Sequence, residues 1–190
     1  MFGVPTVACG KGRAAAQTDA GRNSASLRSL AAIWLGLNLV FVPGAAHACE
    51  DAPCFSSDLI TQCQADGGKH QCIGLGAQDC YKDDFATSTI GLCLGAELQF
   101  WQTKLEDVSA KLKELDLEWD KNQRQHDFSS RAYETRLETQ TAWESYRDLR
   151  CAYVTEVWGP GSGSGPAWAE CMMRATAEHV LWLQDWLLRY

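Results

Sequence analysis

Cysteine and histidine have the widest chemical reach of the side chains here, and their spacing decides what they can do. Nine cysteines are present, eight of them at positions 49, 54, 63, 72, 80, 93, 151 and 171. Thiols in such number bind a metal, exchange electrons or close disulfides. Structural zinc needs close-set ligands such as C-x-x-C. No C-x-x-C occurs among the eight, and His70, His126 and His179 lie far apart. A redox dithiol needs the same missing motif. Disulfides remain, up to four among Cys49, Cys54, Cys63, Cys72, Cys80, Cys93, Cys151 and Cys171, if the chain is exported. Spacing alone does not choose among the pairings that eight cysteines admit.

For catalysis the residues offer little. A hydrolase needs a nucleophile beside a base, or two well-placed carboxylates. The histidines sit in no such motif, and the acids are spread along helix faces. The run "GPGSGSGP", residues 159–166, lacks the Lys-Ser/Thr that a phosphate-binding loop requires. We therefore expect a binding protein with no catalytic residue, metal or cofactor.

Residues 1–28 carry Lys11, Arg13, Arg22 and Arg28 against one acid, Asp19. An apolar run follows from Leu30 to Val42, then Pro43-Gly44 and Ala46-His47-Ala48. Basic, apolar and small-residue segments in that order predict a secretory signal over residues 1–48, cut before Cys49. The run of 13 residues is shorter than the roughly 20 needed to cross a bilayer. The expectation is a periplasmic or secreted protein with no transmembrane segment in the mature chain. Lipid anchoring at Cys49 is the alternative, and His47 argues against it because lipoprotein signals favour small residues there.

Residues 49–190 hold 13 Lys and Arg against 23 Asp and Glu, a formal charge of −10. That balance excludes a nucleic-acid partner, which needs a basic surface. It suits a basic partner, whose encounter it would steer, although an acidic balance also serves solubility alone.

The elements that must position these residues are helices. Leu94, Leu98, Trp101, Leu105, Val108, Leu112, Leu115 and Trp119 step alternately by four and three, a 3.5-residue repeat that predicts a long helix with a narrow seam. Glu97, Lys104, Glu106, Lys111, Lys113 and Glu114 read as its solvated face. The polar stretch "DKNQRQHDFSS" is expected to end that helix, and Ser129 or Ser130 to cap the next. Tyr133, Leu137, Trp143, Tyr146, Tyr153 and Val157 give the second helix its apolar face, and Gly159-Pro160 stops it. Pro166 suits the first position of a third helix, with Trp168, Met172, Ala175, His179, Trp182 and Trp186 as its seam. The predicted fold is all-α, an antiparallel three-helix bundle over residues 91–190. Residues 49–90 hold six of the cysteines but too few apolar side chains for a core, and read as a disulfide-rich N-terminal cap on that bundle.

Within the second helix, Leu137, Gln140, Trp143, Tyr146, Arg147, Asp148 and Cys151 fall in the spacing L-x-x-Q-x-x-W-x-x-[FY]-R-D-x-x-C. Cys171 follows a Gly/Ser-rich segment, with Thr176 five residues later. Thr89, Cys93, Glu97 and Trp101 complete the pattern upstream. This arrangement resembles the LprI-like lysozyme-inhibitor family of exported bacterial proteins, from about Cys72 to Leu188. The sequence departs from the family where His179 replaces a late arginine and Ser109 a tyrosine. The resemblance implies an exported, disulfide-bonded helical protein that inhibits lysozyme by binding it. The alternative is an envelope structural or adaptor module that binds another envelope protein or peptidoglycan. Trp143 and Tyr146 read as core anchors, and His179 as a satisfied core histidine. Arg147 with Asp148 reads as an inter-helix pair or local cap, and Gln140 as a partner for a neighbouring backbone group.

If Cys151 pairs with Cys171, the bond closes a loop of about 20 residues and stabilises by ~3 kcal/mol in the chain-entropy model. Residues 159–166 would then protrude at one end of the bundle. Two readings stay open: a plain helix-to-helix connection, or a partner-binding edge made of Trp158, Gly161, Ser162, Gly163, Ser164, Gly165 and Trp168.

Overall fold

The computed structural model describes residues 54–126 and 128–190; the predicted signal sequence and Cys49 lie outside the described residues. The chain is all-helical there, with no strand among the described residues. Helix α1 spans Asp58–Ala65, a 3-10 turn His70–Cys72, and α2 Leu75–Tyr81. Three long helices follow: α3 (Thr87–Arg124), α4 (Ala132–Trp158) and α5 (Ser164–Leu187).

Side-chain pairings give the directions. Asp116 of α3 meets Arg136 of α4, and Asp120 meets the start of α4 at Ala132, so these two helices run antiparallel. Gly91 lies beside Pro166, while Leu183 packs on Val108 and Leu112, so α5 runs alongside α3 in the same sense. Helix α5 packs against both others and is buried almost all round from Ala169 to Leu183. Of the seam predicted for it, Met172, Ala175 and His179 are buried but Trp168, Trp182 and Trp186 are exposed; Met173, Ala177, Val180 and Leu181 are buried in their place. It begins at Ser164, which makes Pro166 its third residue, where no backbone N–H is needed.

The seam of α3 holds through Leu94, Leu98, Trp101, Val108 and Leu112, all buried, and then fails. A straight α-helix has 3.6 residues per turn and drifts by about 20° per heptad from a strict 3.5 repeat. The next buried positions are therefore Asp116 and Asp120, while Trp119 is exposed. The helix continues to Arg124, so the polar stretch predicted to end it begins inside it. Neither Ser129 nor Ser130 caps α4 directly. The Asp120 carboxylate does, accepting the N–H of Ala132 at 2.8 Å and of Tyr133 at 3.2 Å. Burial alone would raise the Asp120 carboxyl, but the Ser130 hydroxyl, these two amides and Arg124 together hold it below its ordinary value.

On α4 four of the six predicted apolar residues are turned outward, and only Tyr133 and Trp143 face inward. Tyr146 is 62% and Tyr153 70% exposed, and Leu137 and Val157 are exposed with them. The inward stripe is Tyr133, Arg136, Gln140, Trp143, Arg147 and Cys151. Two anchors fix this rotation: Arg136 on Asp116 at one end and the Cys151–Cys171 disulfide at the other.

The cap shares its core with the long helices. Ile60, Cys72, Ile73 and Ala77 pack in one cluster with Cys93, Leu94, Leu98 and Trp101. Disulfides join Cys63 to Cys72 and Cys80 to Cys93. Cys54 is also disulfide-bonded.

A further tie comes from Glu97, which the sequence places on a solvated face but which is 0% exposed. One carboxylate oxygen accepts the Gly74 N–H at 2.6 Å and the Trp101 indole N–H at 3.0 Å; the other accepts the Ala77 N–H at 2.7 Å. Gly74 and Ala77 carry free amides at the start of α2, so the acid of one helix caps another. A buried carboxylate is tolerated because every donor aimed at it is satisfied.

Glu97→Gln should destabilise the protein by about 1–3 kcal/mol, because the new amide N–H₂ must face a backbone donor. Glu97→Ala should cost more, and denaturant unfolding with disulfides intact measures both. Gly159, the residue after α4, has φ +71° and ψ −162°, a region almost reserved for glycine, with open space where a Cβ would stand. Gly159→Ala should therefore cost about 1–3 kcal/mol through the backbone alone, with the same unfolding curve as the check.

Candidate functional site

The residues singled out by spacing fall in two places. At one end of the long helices, Cys151 and Cys171 are joined, with Cα atoms 5.5 Å apart. The connection between α4 and α5 is only residues 159–163, because Ser164, Gly165 and Trp168 belong to α5. It does not stand off as an eight-residue loop. Gly163 is covered by the Trp158 ring, close enough that a Cβ there would lie 2.8 Å from it. Gly161, Ser162, Trp158 and Trp168 remain exposed, and no ring contact joins the two tryptophans among the described residues. Beside them, Thr87, Arg150, Trp158, Pro166 and Glu170 line an open groove of about 460 Å³.

The second place is the α4–α5 interface, where the motif residues meet. The Trp143 ring stacks on His179 with centroids 3.9 Å apart and planes 7° apart. The Arg147 guanidinium lies 4.8 Å from the Trp143 centroid on a stacking contact and bonds Asp148 at 2.8 Å. That ion pair joins neighbours on one helix, so it is neither an inter-helix pair nor a cap. Gln140 bonds side chains, not backbone: its amide nitrogen donates to Glu144 at 2.9 Å, and its oxygen faces His179 Nε2 at 2.9 Å. Because Glu144 can only accept, the amide orientation is fixed and His179 carries its proton on Nε2. Trp182 stacks on His179 at 5.4 Å, and Trp186 meets Trp182 edge-on at 6.2 Å.

The result is a continuous ladder, Arg147–Trp143–His179–Trp182–Trp186. His179 is buried as expected and Trp143 half-buried, whereas Tyr146, expected as a core anchor, faces solvent with Leu137 and Asp148. Thr176 is buried and its hydroxyl has no hydrogen-bond partner among the described residues; nothing in the structure explains it. Glu97, Asp116 and Asp120 are internal groups that apolar spacing does not reveal. Glu97 carries a signal as a motif position beside Cys93 and Trp101; Asp116 and Asp120 have only their place, each four residues along from a buried neighbour.

Nothing in the ladder is arranged for catalysis. Burial, reinforced by the charge of Arg147, pushes His179 down to about 4, so the ring is neutral and serves as a stacking and hydrogen-bonding spacer. Between that value and the unfolded value of about 6.5 the native state binds fewer protons than the unfolded chain. Its contribution is complete above about pH 6.5 and is lost as pH falls towards 4, by about 3 kcal/mol. His179→Phe keeps the stack and removes the ionisation. Between pH 7 and 4 the wild type should lose about 3 kcal/mol more stability than this variant; parallel pH profiles would contradict the assignment.

Comparison with known proteins adds one finding. The family model described as lysozyme inhibitor LprI matches residues 80–183, which takes in α3, α4, the Cys80–Cys93 and Cys151–Cys171 disulfides and the whole ladder except Trp186. No curated protein and no solved structure matches the chain. The match lies inside the Cys72–Leu188 span of the motif resemblance and covers more than half of the sequence, so the chain belongs to the LprI lysozyme-inhibitor family.

Proposed function

We propose that this protein is an exported inhibitor that binds lysozyme and blocks its cleft without chemistry of its own. The observation that carries the reading is the family match, which spans the helices that hold the motif residues together. Three further features support it. The chain from residue 49 onward has a formal charge of −10, which suits a basic enzyme partner. Its disulfides fit a compartment outside the cytoplasm. No helix among the described residues is long and apolar enough to cross a membrane.

The contact edge we favour is the disulfide-tied end. Gly161 and Ser162 offer a narrow backbone ridge, and Trp158 and Trp168 offer aromatic surface beside it. Aromatic anchors dominate many interfaces, and a connection held by a disulfide loses little entropy when it docks.

Lysis of a bacterial cell-wall suspension by a basic animal-type lysozyme, titrated with oxidised residues 49–190, tests this. The expected result is a saturable loss of activity near one-to-one stoichiometry that weakens as salt rises. No inhibition at large excess of folded protein, or binding to the cell-wall fraction with lysozyme unaffected, would overturn the reading. Trp158→Ala should weaken inhibition about tenfold if this edge is the contact.

A further inference from the structure

At the opposite end of the helices, under the turn that joins α3 to α4, lies a groove of about 470 Å³, within the size range of small-molecule sites. Phe128 from the turn, Trp182 and Trp186 from α5, and Tyr190 after it supply its aromatic lining. The two tryptophans are 45% and 42% exposed. Each has ring surface held by a neighbour: His179 stacks on Trp182 at 5.4 Å, and Arg189 lies 4.8 Å from the Trp186 centroid. The exposed remainder is therefore presented on positioned rings, set 75° to one another.

The polar lining is equally organised. Asp116 accepts from the Arg136 guanidinium on one oxygen and from the Tyr190 hydroxyl at 2.6 Å on the other. Arg136 uses its Nε for that bond, and among the described residues its terminal nitrogens have no hydrogen-bond partner although the side chain is only 13% exposed. Arg136 lines the groove together with Ser129, Ser130, Thr135 and Thr139. The charges in the lining are matched, Arg136 by Asp116 and Arg131 by Glu134. The lining therefore carries no net charge that would select an ion.

We infer that this groove binds a neutral saccharide, one or two pyranose units of a β-linked chain. A pyranose with equatorial substituents has a flat C–H face that packs on an indole ring, and its rim of hydroxyls and acetamido carbonyls supplies acceptors for Arg136. Apolar ligands would leave the guanidinium donors unmet, and peptides of either charge would disturb a matched ion pair. The site is separate from the disulfide-tied end and does not depend on lysozyme binding.

The test is a titration of the isotope-labelled, oxidised chain with tri-N-acetylchitotriose, with no lysozyme present, followed by indole and backbone amide shifts. The expected result is saturable movement of the Trp182 and Trp186 indole signals at millimolar or lower sugar. Trp186→Ala should weaken binding about tenfold, and Trp158→Ala at the far end should leave it unchanged. Phe128→Ala, in an exposed turn, should also weaken it, which keeps the test readable if Trp186→Ala loosens α5. Absence of saturable shifts, or shifts centred on Trp158, would overturn the assignment. So would groove signals that respond to protein concentration instead of sugar, since these would give the groove to a second copy of the chain.

Discussion

The carboxylate of Glu97 is the group around which the rest of the structure is arranged. It sits on α3 with no exposed surface and receives two backbone amides from the start of α2 and the indole N–H of Trp101. Burying a carboxylate is unfavourable unless donors replace water, and these three do so at short range. The geometry they impose sets where α2 begins. It holds Gly74 at φ +94°, which glycine adopts without strain, and brings Ala77 down onto α3. The Cys80–Cys93 bond then closes the same two elements a few residues further along. A short cap that could not stay folded on its own becomes part of the core that α3 and α5 enclose.

The same device recurs at the other end of α3. Asp120 caps α4 through two amides, and Asp116 takes Arg136 and the Tyr190 hydroxyl. That hydroxyl is pushed up to about 12 by burial and by Asp116, so it stays a donor. Three buried acids on one helix thus dock three other segments, and apolar side chains fill the stretch between. The long helix works as a spine with polar sockets near its two ends. Both the aromatic ladder and the groove beside Trp182 and Trp186 depend on the lower sockets, because Arg136 and Tyr190 fix how α4 and the end of α5 meet α3.

Much of this was legible in the residues. The number and order of the long helices follow from apolar spacing and from Gly159-Pro160; the ends of α3 and the start of α5 do not. The motif of α4 mixes both faces: Gln140, Trp143, Arg147 and Cys151 turn inward, while Leu137, Tyr146 and Asp148 face solvent. Tyr146, Tyr153 and Val157 look like core residues by type, but α4 is an outer helix whose rotation is set by an ion pair and a disulfide, neither of which hydropathy registers. Glu97, Asp116 and Asp120 look solvated by type. They are buried because partners distant in sequence present donors to them, and a one-dimensional reading cannot see those partners. The Gly/Ser connection looks long in the sequence because Pro166 suits a helix start; Ser164 and Gly165 lie in the first turn of α5, where backbone donors are free in any case.

Native-state hydrogen exchange at three protons tests the organising role of Glu97 most directly: the Gly74 and Ala77 amides and the Trp101 indole. If the carboxylate binds cap and long helices into one cooperative unit, all three should exchange only through global unfolding, at the rate of the slowest α3 amides. Exchange of Gly74 and Ala77 at the rate of an exposed turn, while α3 stays protected, would mean that the cap opens independently and that the Glu97 contacts do not hold it.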